Sequence, residues 1–116
     1  MQHTVAKPVT VSGKGLLLGK DADLVISPAA VGEGIIFERT DIEPVAHIPA
    51  LVANATERAR RTTLCSGDVS IETVEHLMSA LFGVGIDNAI IQMDGPEVPC
   101  GDGSSMLFVE FRSLPI

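Results

Sequence analysis

Tryptophan and tyrosine are absent from this chain, and four phenylalanines make up its aromatic complement. A core has to be assembled from Val, Ile, Leu, Ala and Met. Hydrophobic residues are 46% of the sequence, enough for one packed domain over residues 1–116. Basic residues are scarce as well: 8 Lys and Arg stand against 15 Asp and Glu, for a net charge of -7. DNA and RNA are repelled by that balance, so no nucleic-acid partner is expected. The densest basic cluster, Arg58, Arg60 and Arg61, reads as one solvated loop. No apolar run approaches the ~20 residues of a membrane span, and Met1-Gln2-His3-Thr4 lacks the basic and apolar segments of a signal peptide. Cys65 and Cys100 have no C-x-x-C spacing and imply no disulfide scaffold. Each reads as a small buried hydrophobe, and the expected compartment is the cytoplasm.

What is present alternates first with period two. Val5, Val9 and Val11 form an extended pattern ending at Gly13, followed by the glycine-punctuated turn Gly13 to Lys20. Leu24-Val25-Ile26 is a second strand, stopped by Pro28, and Gly34 to Arg39 a third. Pro44 and Pro49 bracket a short extended piece around His47-Ile48. The stretches 61–65 and 69–72 flank Ser66-Gly67-Asp68 as a hairpin. From Thr73 to Phe82 the period becomes helical, with Val74, Leu77, Met78 and Leu81 on one stripe, Thr73 as N-cap and Gly83 and Gly85 as stops. Ile86 to Met93 is a strand. Ser104 is placed to cap a last helix from Ser105 to about Leu114. Strands followed by helix, strand and helix predict an α+β fold in two layers, a mainly antiparallel sheet with two helices on one face.

Glu75-His76 is the sharpest chemical signal. At about 100° per residue, His76 falls almost opposite the apolar stripe and Glu75 toward its flank. Two readings are open from the residues alone. The pair is either an exposed polar dipeptide, which recurs by chance in many helices, or an imidazole able to bind zinc beside a carboxylate able to act as general base. There is no H-E-x-x-H, and the other histidines are His3 and His47. Glu97 reads as an exposed loop residue and Asp102 as a turn residue.

Several segments then occur in order: Thr62-Thr63-Leu64-Cys65, Thr73 to Leu81, Gly83-Val84-Gly85-Ile86-Asp87-Asn88-Ala89, Pro96-Glu97-Val98-Pro99 and Asp102-Gly103-Ser104. Together with Thr10-Val11-Ser12-Gly13 they resemble the N-terminal domain of the UDP-3-O-acyl-N-acetylglucosamine deacetylase family, zinc enzymes of lipid A biosynthesis. The resemblance implies that His76 is a zinc ligand, that Glu75 is the general base driving water onto an acetamide carbonyl, and that Leu64 and Cys65 border the substrate. It also implies that the other zinc ligands, in an H-x-x-x-D motif, a further catalytic His and the acyl-chain passage belong to a second domain. None of those motifs occurs in these 116 residues. One turn departs from the family's Gly-Leu-His-Ser-Gly: here it is Gly15-Leu16-Leu17-Leu18-Gly19, with Leu17 in place of the histidine.

The implied function is the first-domain half of a zinc-dependent deacetylase acting on an acylated UDP-sugar, with no turnover expected of this chain alone. The alternative is a non-catalytic single-domain homologue that dimerises or binds a partner. The last helix supports association. Met106, Leu107, Phe108, Val109, Phe111 and Leu114 are apolar almost all round it, and a helix apolar on every side is buried on every side. The expected partner is a second copy, joined through the helix layer as a homodimer, or a second deacetylase-type domain.

Overall fold

The computed structural model describes residues 2–14, 21–51, 55–58, 61–66, 69–72, 74–99 and 113–115. Along the chain come β1 (His3–Val5), β2 (Val9–Lys14), β3 (Asp21–Pro28), β4 (Ile35–Arg39), β5 (Ala46–Pro49), β6 (Ala55–Arg58), β7 (Arg61–Ser66), β8 (Val69–Glu72), α1 (Glu75–Gly83), β9 (Ala89–Met93) and β10 (Ser113–Pro115). The valine pattern expected as one strand is two, because it is interrupted at Ala6 to Pro8, where proline has no N–H for a ladder.

Five strands form the main sheet in the order β2-β3-β9-β4-β5. Its register places Val9, Ile26, Ile91, Phe37 and Ile48 in one row across all five strands. Ile26, Ile91, Phe37 and Ile48 in that row are completely buried, and Val9 packs against them. The other face carries the row Thr10, Val25, Gln92, Glu38 and His47, where the carboxylate of Glu38 accepts from Gln92 Nε2 at 3.1 Å and pairs with His47 Nδ1 at 3.1 Å. The sheet is mainly antiparallel, as expected, with one parallel pair, β4 and β9. A smaller antiparallel sheet, β6-β7-β8, continues the core through Leu64 and Ile71, and the two-stranded pair β1-β10 completes the strands. Arg39 ties the two larger sheets together, donating from Nη1 to the carbonyl of Ser70 at 3.1 Å.

The helix stripe read from the sequence is the packed one. Val74, Leu77, Ala80 and Leu81 are buried in the core and Met78 lies against it. The helix begins at Glu75 with Val74 in the cap position and no side-chain cap; the expected cap, Thr73, lies outside the described residues. Its end is a Schellman turn. Gly85 takes a φ of +77°, Gly85 N–H donates to Phe82 O at 3.1 Å, and Ile86 N–H donates to Leu81 O at 2.9 Å.

Other expectations are corrected. The fold is α+β, but α1 is the one helix among the described residues, so two helices on one face are not found. Of the expected last helix, Ser105 to about Leu114, residues 105–112 lie outside the described residues, and its end belongs to a strand. Leu114 precedes Pro115, which disfavours helical backbone there, and Ser113 and Leu114 pair with Val5 and Thr4 instead. Arg58 and Arg61, expected in a loop, face each other in the ladder at the ends of β6 and β7, while Arg60 lies outside the described residues. No described helix is long and apolar enough to cross a membrane.

Candidate functional site

The chain reaches α1 straight from the β7–β8 hairpin, so the residues singled out in the sequence come from adjoining elements. Strand alternation sends Leu64 and Cys65 to opposite faces of the small sheet. Leu64 sits opposite Ile71 and is 3% exposed, inside the core. Cys65 sits opposite Ser70, half-buried as a free thiol. Glu75 opens the helix, half-buried, and an acidic residue in the first turn complements the helix dipole. His76 follows it on the same helical turn, and its side chain lies outside the described residues.

The face shared by Thr63 and Cys65 holds a polar row that the sequence did not suggest. Thr63 is completely buried, and its hydroxyl donates to Glu72 Oε2 at 2.7 Å. On the far side of Glu72 the segment 96–98 adds itself in parallel: Glu72 N–H donates to Pro96 O at 2.6 Å and Val98 N–H donates to Glu72 O at 3.1 Å. Glu97 is thereby placed beside Glu72 and is 3% exposed. The expectation of an exposed loop residue is wrong for Glu97, because backbone bonds to β8 fold its segment into the sheet. Every buried side-chain nitrogen and oxygen among the described residues has a hydrogen-bond partner. A carboxylate inside a string of prolines signals a loop by propensity. The bridge that buries it joins residues 25 apart in sequence (72 and 97), which no local pattern reveals.

The other titratable candidates are engaged elsewhere. His3 lies 3.8 Å from Asp87 Oδ2, and His47 is on the sheet face opposite the core with Glu38. Cys100, Asp102 and Leu17 lie outside the described residues. Among the described residues no three His, Cys, Asp or Glu side chains form a group that could hold a metal ion. A catalytic zinc takes three protein ligands and a water, so the described donors do not fit a zinc centre on their own.

Comparison with known proteins bears on the pair at the head of α1. Residues 2–113 match the family model described as UDP-3-O-acyl N-acetylglycosamine deacetylase. The chain is 47% identical over 108 residues to a UDP-3-O-acyl-N-acetylglucosamine deacetylase of Geobacter sp. (strain M21), covering 93% of this chain and 35% of the relative. It is 46% identical over 108 residues to the protein of the same name from Pseudomonas entomophila (strain L48), covering 93% and 36%. The chain spans about a third of the length of these curated relatives.

Proposed function

This chain belongs to the UDP-3-O-acyl N-acetylglycosamine deacetylase family, and we propose from that premise that it contributes one half of a site that hydrolyses the N-acetyl group of an acylated UDP-glucosamine. The observation that carries the reading is the placement of Glu75 and His76 as the first two residues of α1, within the stretch that matches the family. In the proposed chemistry the Glu75 carboxylate takes a proton from water as its oxygen bonds to the acetamide carbonyl carbon, and the C–N bond then breaks as a proton passes to the leaving nitrogen, giving acetate and the free amine. The segment Leu64-Cys65, on the strand that precedes the helix by one hairpin, is proposed to border the substrate through the half-buried Cys65, with the Leu64 side chain packed in the core behind it. His76 is proposed as a zinc ligand. The described residues bring no three donors together, and the family resemblance assigns the remaining donors to a second domain. The proposed compartment is the cytoplasm.

The test is a chimera in which this chain replaces the matching segment of the Geobacter relative. Acetate release from the acylated UDP-sugar is then measured with Glu75→Gln and His76→Ala variants. Loss of about 100-fold or more in kcat for Glu75→Gln is expected of a general base. A chimera that turns over equally well with Glu75→Gln removes Glu75 from the chemistry.

A second reading is supported by one surface feature. Phe82 is 71% exposed on α1, which favours association of the helix layer with a second copy or a second domain. The residues of the expected last helix, Phe108 among them, lie outside the described residues.

A further inference from the structure

β1 is three residues long, yet both of its edges are used. On one edge the carbonyl of His3 accepts the N–H groups of Asp87 at 2.9 Å and Asn88 at 3.0 Å, and His3 N–H donates to Asp87 Oδ2 at 2.8 Å. On the other edge β1 pairs with β10, His3 with Pro115, Thr4 with Leu114 and Val5 with Ser113. Two side chains lock this arrangement. The buried hydroxyl of Thr4 donates to Asn88 O at 2.6 Å and accepts Ala29 N–H at 3.0 Å. Asn88, 1% exposed, donates from Nδ2 to Gln2 Oε1 at 2.8 Å and accepts Gly34 N–H on Oδ1 at 2.8 Å. Gln2 Oε1 also accepts Gly32 N–H at 2.9 Å. The first strand therefore touches the turn at 29–34, the start of β9 and the last described strand at once.

We propose that residues 2–5 are an alignment strap that fixes β10 to the exit of α1. Among the described residues β10 has β1 as its strand partner, so its place depends on where β1 is held. β1 is held by Asp87 and Asn88, which follow the Gly85 turn that ends α1 with only Ile86 between. The position of β10, and of any chain that continues from it, is thereby geared to the helix that carries Glu75 and His76. The gearing rests on hydrogen bonds shown in the fold and needs no metal. Thr4 is its pivot, because replacing the hydroxyl by a methyl leaves the Ala29 donor and the Asn88 acceptor buried without it.

Hydrogen exchange followed by mass spectrometry on the whole 116-residue chain tests the strap. In Thr4→Val, exchange is expected to accelerate about tenfold or more in 2–5, 29–34 and 113–115 together, with β3, β4 and residues 90–93 within about twofold of wild type. Thr4→Ser, which keeps the hydroxyl, is expected to restore protection. Gln2→Ala, a surface change that spares the core, is expected to give the same pattern at smaller amplitude. The proposal is overturned if 113–115 exchanges at the wild-type rate while 29–34 accelerates. It is equally overturned if every segment accelerates alike, or if 113–115 is unprotected in the wild type.

Discussion

Arg39 clasps Asp41 through two parallel hydrogen bonds, 2.9 Å from Nε to Oδ1 and 2.7 Å from Nη2 to Oδ2. The hydrogen bond and charge of Arg39 hold the Asp41 carboxyl below its ordinary range, against the smaller opposing effect of burial. A carboxylate whose pKa is depressed on folding stabilises the fold at pH above its unfolded value, and that contribution is lost as pH falls through the depressed folded value. The Asp41 side chain is 28% exposed, so solvent screens the pair and its contribution is held to about 1 kcal/mol or less. Asp41→Asn is expected to lower stability by that amount in urea denaturation at pH 7. The gap to wild type should shrink below about pH 4. A gap of equal size at pH 7 and pH 3 would assign the loss to packing and not to charge.

Gly85 stands in left-handed backbone with nothing within 4 Å of where a Cβ would be. Space is therefore no obstacle to Gly85→Ala, and the whole penalty is conformational. A loss of about 1–2 kcal/mol is expected from equilibrium unfolding, with Gly85→Asn losing less because asparagine tolerates this region. If the alanine variant matches wild type, the Schellman turn is not formed in solution.

Both of these residues show what the sequence could and could not reveal. The turn at Gly85 and the buried stripe of Val74, Leu77 and Leu81 were legible because helix phase and stop signals are local. So were β3, β4 and the β7–β8 hairpin, with their short apolar runs between turn residues. What escaped depends on distant partners. Glu72, at the end of the 69–72 stretch, has a neighbour that no local pattern shows, the segment 96–98 that lies down beside it. The hold on Asn88 comes from Gln2 and Thr4, 86 and 84 positions earlier. The Arg39–Ser70 tie crosses between sheets at a separation of 31. The Glu75–His76 pair was found by helix phase together with linked motifs. Thr63 and Glu97 were missed because their burial follows from topology.

Zinc should discriminate the pair at the head of α1 from a complete centre. The described residues bring no three donors together, so calorimetric titration of the chain is expected to give binding far weaker than a closed four-ligand site. His76→Ala should weaken it by about tenfold or more. Tight, stoichiometric binding that survives His76→Ala would place the metal at other residues and remove His76 as its ligand.

Association should follow the exposed side of α1. Ser79, Phe82 and Gly83 are all exposed there and lie within one helical turn of each other. Burying a phenylalanine contributes about 1.5–3 kcal/mol, and a twofold axis repeats the contribution on the partner. Association costs an estimated 4–15 kcal/mol or more in lost translational and rotational freedom, which offsets that gain, so Phe82 holds a dimer only as one anchor within a larger contact. Sedimentation velocity is expected to show mass rising with concentration toward roughly 100 micromolar. Phe82→Glu should stay monomeric over the same range, since a carboxylate cannot enter the contact without being desolvated. A wild-type chain that remains monomeric throughout, or a dimer that Phe82→Glu leaves intact, would rule out self-association through this helix face.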